Sequence, residues 1–144
     1  MASGFCRRSE ESVRMMNPVT LAFVGDAVYS LYVREKLADC GDGKTADLQR
    51  SASKIVSAHG QNRLLEKIQP LFTETEAAVF RRGRNAKKAT KSKSATVGEY
   101  NRSTGLEAVL GYLYLIGDFE RIETLLSAGG LEFKGEKASE AFKP

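Results

Sequence analysis

Hydrophobic residues recur at helical spacing along most of the chain, and apolar and polar residues nowhere alternate long enough to indicate a sheet. Helix-start signals accompany this pattern. Asn17 precedes Pro18, and Thr73 and Thr96 are each followed three residues later by a glutamate, as in a capping box. The sequence therefore predicts an all-α protein of about six helices, covering 18 to 39, 45 through 55, 58 to 68, 74 through 80, 97 to 116 and 119 to 127.

A chain of 144 residues with 42% hydrophobic residues can build one real core and fits one domain. We predict an N-terminal extension at 1–16, a helical domain at 17–129 and a flexible tail at 130–144, which is rich in Lys, Glu and Gly. No apolar stretch reaches the length of a membrane span. Cys6 and Cys40 suit neither a zinc site nor a disulfide framework, which favours a reduced, cytoplasmic compartment. The single histidine, His59, excludes metal sites built from histidine clusters.

The basic residues are concentrated in one segment. The chain has a net charge of +4, and residues 81–93 contain no acid. Removing their seven basic side chains from the 22 Lys and Arg leaves 15 against 18 Asp and Glu, so the remainder carries −3. This pattern predicts a mobile basic loop at 81–95 that contacts a polyanion, although a solvated linker is the ordinary alternative. The candidate residues for this contact are Arg81, Arg82, Arg84, Asn85, Lys87, Lys88, Lys91 and Lys93.

Two carboxylates stand alone in apolar helices. Asp26 is the only charged residue from 19 to 33, and Glu107 is the only one from 103 to 117. Burying an unpaired carboxylate is costly and raises its pKa. A hard divalent cation such as Mg²⁺ is one suitable partner. A helix cap, or a structural ion pair with Arg63 or Arg102, is the other interpretation that the spacing leaves open.

Glycines lie next to both carboxylates. Gly25 precedes Asp26, and Gly105 and Gly111 flank Glu107. Glycine inside a helix costs about 1 kcal/mol relative to alanine. Its presence here indicates that helices approach closely, or that a ligand needs room, beside the two acids.

These residues resemble a known enzyme family. The segment LAFVGDAV at 21–28 is similar to the signature helix of the ribonuclease III family, and STGLEAVLG at 103–111 is similar to that family's second acidic helix. The segments IVSA at 55–58, RRGRNA at 81–86 and YNRST at 100–104 resemble the branch called Mini-ribonuclease III. The similarity covers roughly residues 18 to 128. It implies an all-helical ribonuclease III-like catalytic domain at 17–129, without a separate double-stranded-RNA-binding domain.

The resemblance also implies chemistry and partners. Asp26 and Glu107 match the family's metal-binding carboxylates, whereas Ala22 and Thr104 occupy the positions of two further acids, which leaves the number of metal ions open. The implied enzyme is a Mg²⁺-dependent endoribonuclease that cleaves double-stranded RNA, leaves 5′-phosphate ends and matures the precursor of 23S ribosomal RNA in a bacterium or plastid. A homodimer is implied as well, with Phe23 at its contact. The alternative is that the Phe23 side chain is buried in the core of the single chain.

Two other functions are compatible with the residues. Because two of the four family acids are missing, the chain could be a catalytically inactive member of the fold that binds structured RNA or a ribosomal assembly. A helical protein-interaction domain with a disordered basic linker is the third interpretation. The presence of both Asp26 and Glu107 favours the nuclease.

Overall fold

The computed structural model describes residues 7–41, 43, 45–88 and 95–131. These residues form seven α-helices and one short 3₁₀ turn at Gln69–Leu71. The helices are α1 (Glu10–Arg14), α2 (Pro18–Asp39), α3 (Thr45–Val56), α4 (Ala58–Ile68), α5 (Glu74–Asn85), α6 (Val97–Leu115) and α7 (Phe119–Ala128). The prediction of an all-α fold is therefore confirmed for the described part of the chain.

The local signals in the sequence account for most helix starts. The Asn17 side chain accepts a hydrogen bond from the amide of Val19, and Pro18 is the first helical residue of α2. Both predicted capping boxes are present, one at Thr73 with Glu76 and one at Thr96 with Glu99. These contacts satisfy amides that a helix start leaves without intrahelical partners, so the predicted starts of α2, α5 and α6 are confirmed.

The structure adds one helix that was not predicted, and it shows that the predicted start of the basic loop is wrong. The N-terminal extension contains a helix, α1, which is capped by Ser9 and buries Val13 completely in the core. Residues 81–85 belong to the end of α5 and not to a loop. The continuation has a packing reason, because Phe80 and Gly83 are buried and hold this part of α5 against α6. The part of the predicted loop at 89–94 and most of the tail, 132–144, lie outside the described residues.

Helix α6 is the centre of the fold. Eleven of its residues are buried, and it packs chiefly against α2 and α5, with α4 on a further side. From Ser103 to Leu115 every residue except Glu107 and Tyr114 is buried, which explains why this part of the sequence is apolar without one polar face. Among the described residues, no helix combines the length and apolarity that crossing a membrane requires.

Glycines set the distance between α2 and α6. A Cβ atom added to Gly25 would lie 1.7 Å from the carbonyl oxygen of Glu107, and one added to Gly111 would lie 1.9 Å from the carbonyl oxygen of Leu21. No larger side chain fits at either position without separating the helices. The backbone of α2 beside Asp26 is thereby held against the backbone of Glu107.

Candidate active site

The close contact between α2 and α6 brings two carboxyl groups together. Asp26 follows Gly25 on α2. The backbone carbonyl of Glu107, on α6, lies against Gly25. The Asp26 side chain lies close enough to Glu107 for its charge and a hydrogen bond to raise the pKa of the Glu107 carboxyl. Asp26 is exposed to solvent in the single chain, whereas Glu107 is partly buried. A ligand could therefore reach the pair from the Asp26 side.

The two acids interact unfavourably when both are charged. Burial, the charge of Asp26 and a hydrogen bond with Asp26, in that order of size, together raise the pKa of Glu107 from its ordinary value to about 8. Only a hydrogen bond from Gln61 lowers it. No arginine is among the groups that shift this pKa, and Arg102 instead donates to Asn62 Oδ1 at 2.5 Å. An ion pair between Glu107 and Arg102 therefore does not describe the site.

This donor set fits a hard divalent cation. Two adjacent carboxylates offer the oxygen ligands that Mg²⁺ prefers, and a cation between them would offset both the burial of the Glu107 charge and its repulsion by Asp26, which raise the pKa of Glu107. No group of three or more His, Cys, Asp or Glu side chains with metal-binding geometry occurs among the described residues. The protein therefore offers two carboxylates, and water or a substrate phosphate would complete the shell.

The positions that lack the two further family acids are closed by packing. Ala22 and Thr104 are each 5% exposed, and the Thr104 hydroxyl donates to the carbonyl of Tyr100 in its own helix at 3.0 Å. Neither residue can contribute a charged ligand.

Gln61 is the site residue that the sequence analysis missed. It lies on α4, is 3% exposed, and its Nε2 donates to Glu107 Oε2 at 3.2 Å and to the carbonyl of Val56 at 3.0 Å. A glutamine in an otherwise polar, amphipathic helix gives no sequence signal of burial. Only its proximity to the IVSA segment at 55–58 could have drawn attention to it.

The predicted RNA-binding residues fall into two groups. Arg82 and Lys88 are engaged with backbone carbonyls: Arg82 donates to Arg14 and Met16 at 2.7 and 3.1 Å, and Lys88 donates to Gly83 and Arg84 at 2.8 and 2.9 Å. Arg82 thus ties α1 to α5, and Lys88 caps the end of α5.

The other described residues of the predicted RNA-binding set have side chains that are exposed or partly buried. Arg81, Asn85 and Lys87 are exposed, while Arg84 is partly buried, with its guanidinium 5.7 Å from the centre of the Phe80 ring. Lys91 and Lys93 lie outside the described residues. The basic end of α5 packs at Gly83 against residues 104, 105 and 108 of α6, so it lies beside the turn that carries Glu107.

Phe23 is not part of the core. Its side chain is 80% exposed, which excludes the alternative that it is plain intramolecular core. Val19, four residues before Phe23 on α2, is 36% exposed, and Leu31, eight residues after it, is 60% exposed. Together with Phe23 they form an apolar row along one face of α2, next to Asp26.

Comparison with known proteins defines the class. The Ribonuclease III domain family matches residues 19–118, which include both carboxylates and the helices that hold them. The crystal structure of a Fusobacterium nucleatum protein has a TM-score of 0.71 and 30% identity to this chain, covering 80% of this chain and 92% of that one. An all-helical ribonuclease III domain with this carboxylate pair is that of an endoribonuclease, whose substrate is RNA.

The relatives identify the branch. The Mini-ribonuclease 3 of Symbiobacterium thermophilum is 48% identical over 111 residues, or 77% of this chain and 85% of the relative. The Mini-ribonuclease 3 of Streptococcus pneumoniae is 44% identical over 117 residues, or 80% and 91%. This chain belongs to the ribonuclease III family, in its Mini-ribonuclease III branch.

Proposed function

We propose that the protein cleaves double-stranded RNA in a Mg²⁺-dependent reaction, with Asp26 and Glu107 as the catalytic, metal-binding residues. The observation that carries this proposal is the contact between the two carboxyl groups, one of them with its pKa raised to about 8 by burial and by its neighbour. Such a pair is unfavourable by itself and becomes favourable around a cation.

The residues of the chain would divide the work. Asp26 and Glu107 would hold Mg²⁺, which supplies Lewis acidity toward a phosphodiester when it is bound. The exposed side of Asp26 would face the RNA backbone, and the buried side of Glu107 would be fixed by α6. The only histidine, His59, is exposed and its Nδ1 lies 2.9 Å from Glu99 Oε2, so it is not one of the residues that we assign to the reaction.

Cleavage of labelled duplex RNA tests this proposal directly. We expect cleavage with Mg²⁺, none with excess chelator, and recovery when Mg²⁺ is restored. Products are expected to carry 5′-phosphates, which ligation to a 3′-hydroxyl acceptor would detect. Cleavage at an unchanged rate in chelator, or cleavage of single-stranded RNA alone, would contradict the proposal.

The natural substrate that we propose is the precursor of 23S ribosomal RNA. Support for this finer assignment comes from the resemblance to the Mini-ribonuclease III branch. A precursor transcript that contains the terminal stem of 23S RNA should be cut within that duplex. A transcript with the stem mismatched along one strand is the control and should not be cut.

We further propose that the basic segment supplies most of the attraction to RNA. The chain outside 81–93 carries −3, so it would repel a polyanion without these side chains. Arg81 and Lys87 are exposed, and Gly83 between them packs on the turn of α6 that carries Glu107, so this end of α5 offers cations for contacts to RNA phosphates. Arg82 and Lys88 hold the end of α5 and would contribute mainly by positioning it.

Neutralising Lys87, Lys91 and Lys93 to glutamine should therefore weaken RNA binding and reduce the slope of log affinity against log salt. Lys88 is retained because it caps α5, so the melting temperature should not change. Filter binding at several salt concentrations measures the RNA affinity and its salt dependence. Lys67→Gln, an exposed site on α4, is the control. If the triple variant had the same RNA affinity and salt slope as the wild type, residues 87–93 would be a solvated linker and not an RNA-binding element.

A homodimer is the arrangement that we propose for the active protein. The apolar row on α2, formed by Val19, Phe23 and Leu31, would otherwise stay in water. Because the row lies on one face of a single long helix, a two-fold axis crossing α2 would bury it against its own copy. The resemblance to the family places an aromatic residue at this contact. The Asp26 sites of the two protomers would then lie near the shared interface.

Phe23→Asp should convert the dimer to a folded monomer, because a carboxylate at the centre of an apolar interface is costly to bury. Sedimentation velocity gives the oligomeric state, and circular dichroism confirms that the helices remain. Leu71→Asp replaces an exposed apolar residue at another position and should leave the dimer intact. A Phe23→Asp protein that still sediments as a dimer would exclude Phe23 from the contact.

A further inference from the structure

Gln61 links the carboxylate of Glu107 to the corner between α3 and α4. Its Nε2 donates to Glu107 Oε2 at 3.2 Å and to the carbonyl of Val56, the last residue of α3, at 3.0 Å. An amide nitrogen carries two hydrogens, so both are used. Turning the amide over would place its oxygen against the two acceptors, so the observed orientation is the one that the contacts require.

The corner that carries Gln61 is rigidly built. Ser57 caps α4 by accepting from the amide of Gly60 at 3.0 Å, and its hydroxyl donates to Lys54 at 2.7 Å. A Cβ added to Gly60 would lie 2.5 Å from the carbonyl oxygens of Lys54 and Ile55, so only glycine permits this approach. Gln61 therefore extends from a fixed backbone toward Glu107.

The side chain is also incompletely satisfied. Gln61 Oε1 is buried and accepts no hydrogen bond from the described residues. A buried carbonyl without a partner destabilises a fold. The favourable contacts of this side chain are therefore those of Nε2, to Glu107 and to Val56.

We propose that Gln61 is a positioning residue, which holds the Glu107 carboxylate in the orientation that binds the divalent cation. The hydrogen bond occupies Oε2 and thereby fixes the rotation of the carboxylate, leaving Oε1 for the cation beside Asp26. Residues that orient metal ligands in this way typically change metal affinity by about 10- to 100-fold when they are replaced. This inference rests on the proposed function, because it assumes that Glu107 is a ligand.

Mn²⁺ binding to the RNA-free protein, followed by electron paramagnetic resonance of the free ion, tests the inference without turnover. Gln61→Met retains the length of the side chain and removes its hydrogen bonds. We expect its Mn²⁺ affinity to fall about tenfold or more, and circular dichroism should show that the variant remains folded. In cleavage assays the Mg²⁺ concentration for half-maximal rate should rise by a similar factor, while KM for RNA stays unchanged.

Asn62→Leu is the matched control on the same helix. Asn62 joins α4 to α6 through bonds to Glu99 and Arg102 but does not contact the carboxylates, so its replacement should lower the melting temperature and leave Mn²⁺ affinity within about twofold. If Gln61→Met does not fold, Gln61→Asn serves instead, since its amide is one methylene too short to bridge both acceptors.

The outcomes separate the two proposals. If the wild type and Gln61→Met bind Mn²⁺ with equal affinity, the role of Gln61 is overturned, but the metal site is not. Equal losses in Gln61→Met and Asn62→Leu also overturn it, because they would reflect the general α4–α6 contact. Wild-type protein that binds no Mn²⁺ overturns the metal site and the inference with it.

Discussion

Glu107→Gln is expected to lower the rate of RNA cleavage at least a hundredfold, on the order of 3 kcal/mol in the activation barrier. The amide has nearly the shape of the carboxylate, and it removes the charge that a divalent cation would bind. RNA affinity should change little, since we propose that the basic segment supplies most of the attraction. Single-turnover cleavage at saturating Mg²⁺, with binding measured separately, distinguishes the two effects.

The same variant should be more stable than the wild type when metal is absent. Because the pKa of Glu107 is raised to about 8 in the folded protein, the folded state retains a proton that the unfolded chain has already released. Wild-type stability should therefore fall as pH rises from the ordinary glutamate pKa toward 8, and metal should restore it. Gln cannot ionise, so the pH dependence should be smaller and the melting temperature at pH 8 higher.

Asp26→Asn gives a second, independent measurement. It should lose cleavage to a similar degree, and it should lower the pKa of Glu107 by removing a neighbouring negative charge, although burial still keeps that pKa raised. Glu35→Gln, at an exposed position on α2, is the control and should leave rate and pH dependence unchanged. Near wild-type cleavage by either Asp26→Asn or Glu107→Gln would refute the assignment of the site.

Gly25→Ala should destabilise the fold by about 3 kcal/mol or more. The added Cβ would lie 1.7 Å from the Glu107 carbonyl oxygen and 2.8 Å from the Gly111 amide nitrogen, both of them backbone atoms of α6 that cannot rotate away. The helices must separate at the point where Asp26 meets Glu107. Chemical denaturation should show the loss of stability, and any folded fraction should have lost cleavage.

Gly98→Ala is the matched control for this substitution. Gly98 also lies in a helix, but the atoms nearest to its added Cβ belong to the end of the long Arg102 side chain, at 3.3 Å, and not to backbone. The higher helix propensity of alanine should then make the change neutral or stabilising. If Gly25→Ala were as stable and active as Gly98→Ala, close contact of α2 and α6 would not be what assembles the site.

Local sequence signals predicted the helices well where each signal acts within a few residues. Asn17 with Pro18, and the capping boxes at Thr73 and Thr96, each satisfy amides of the next turn, so neighbouring residues were sufficient. The predictions failed where packing decided. The end of α5 reads as polar and basic, yet Gly83 against α6 and Arg82 on the carbonyls of α1 keep it helical.

The candidate site divides in the same way. The isolation of Asp26 and Glu107 in apolar segments was visible in the sequence because a lone buried charge is costly whatever the fold. Their direct contact was not visible, since residues 81 positions apart meet only when Gly25 lets the two backbones touch. The sequence also left Phe23 open between core and interface, and its exposure followed from the choice of α2 face that packs on α6.

The sequence by itself determined the helical class, most helix starts, the two acids and the basic segment, because capping, periodicity and charge act locally or through composition. Only the tertiary structure decided that Gln61 contacts Glu107, that Arg82 and Lys88 are bound to carbonyls, and that no arginine shifts the pKa of Glu107. Each of these depends on which helix faces come together, and hydrogen bonds between distant residues form only after close packing has fixed that choice.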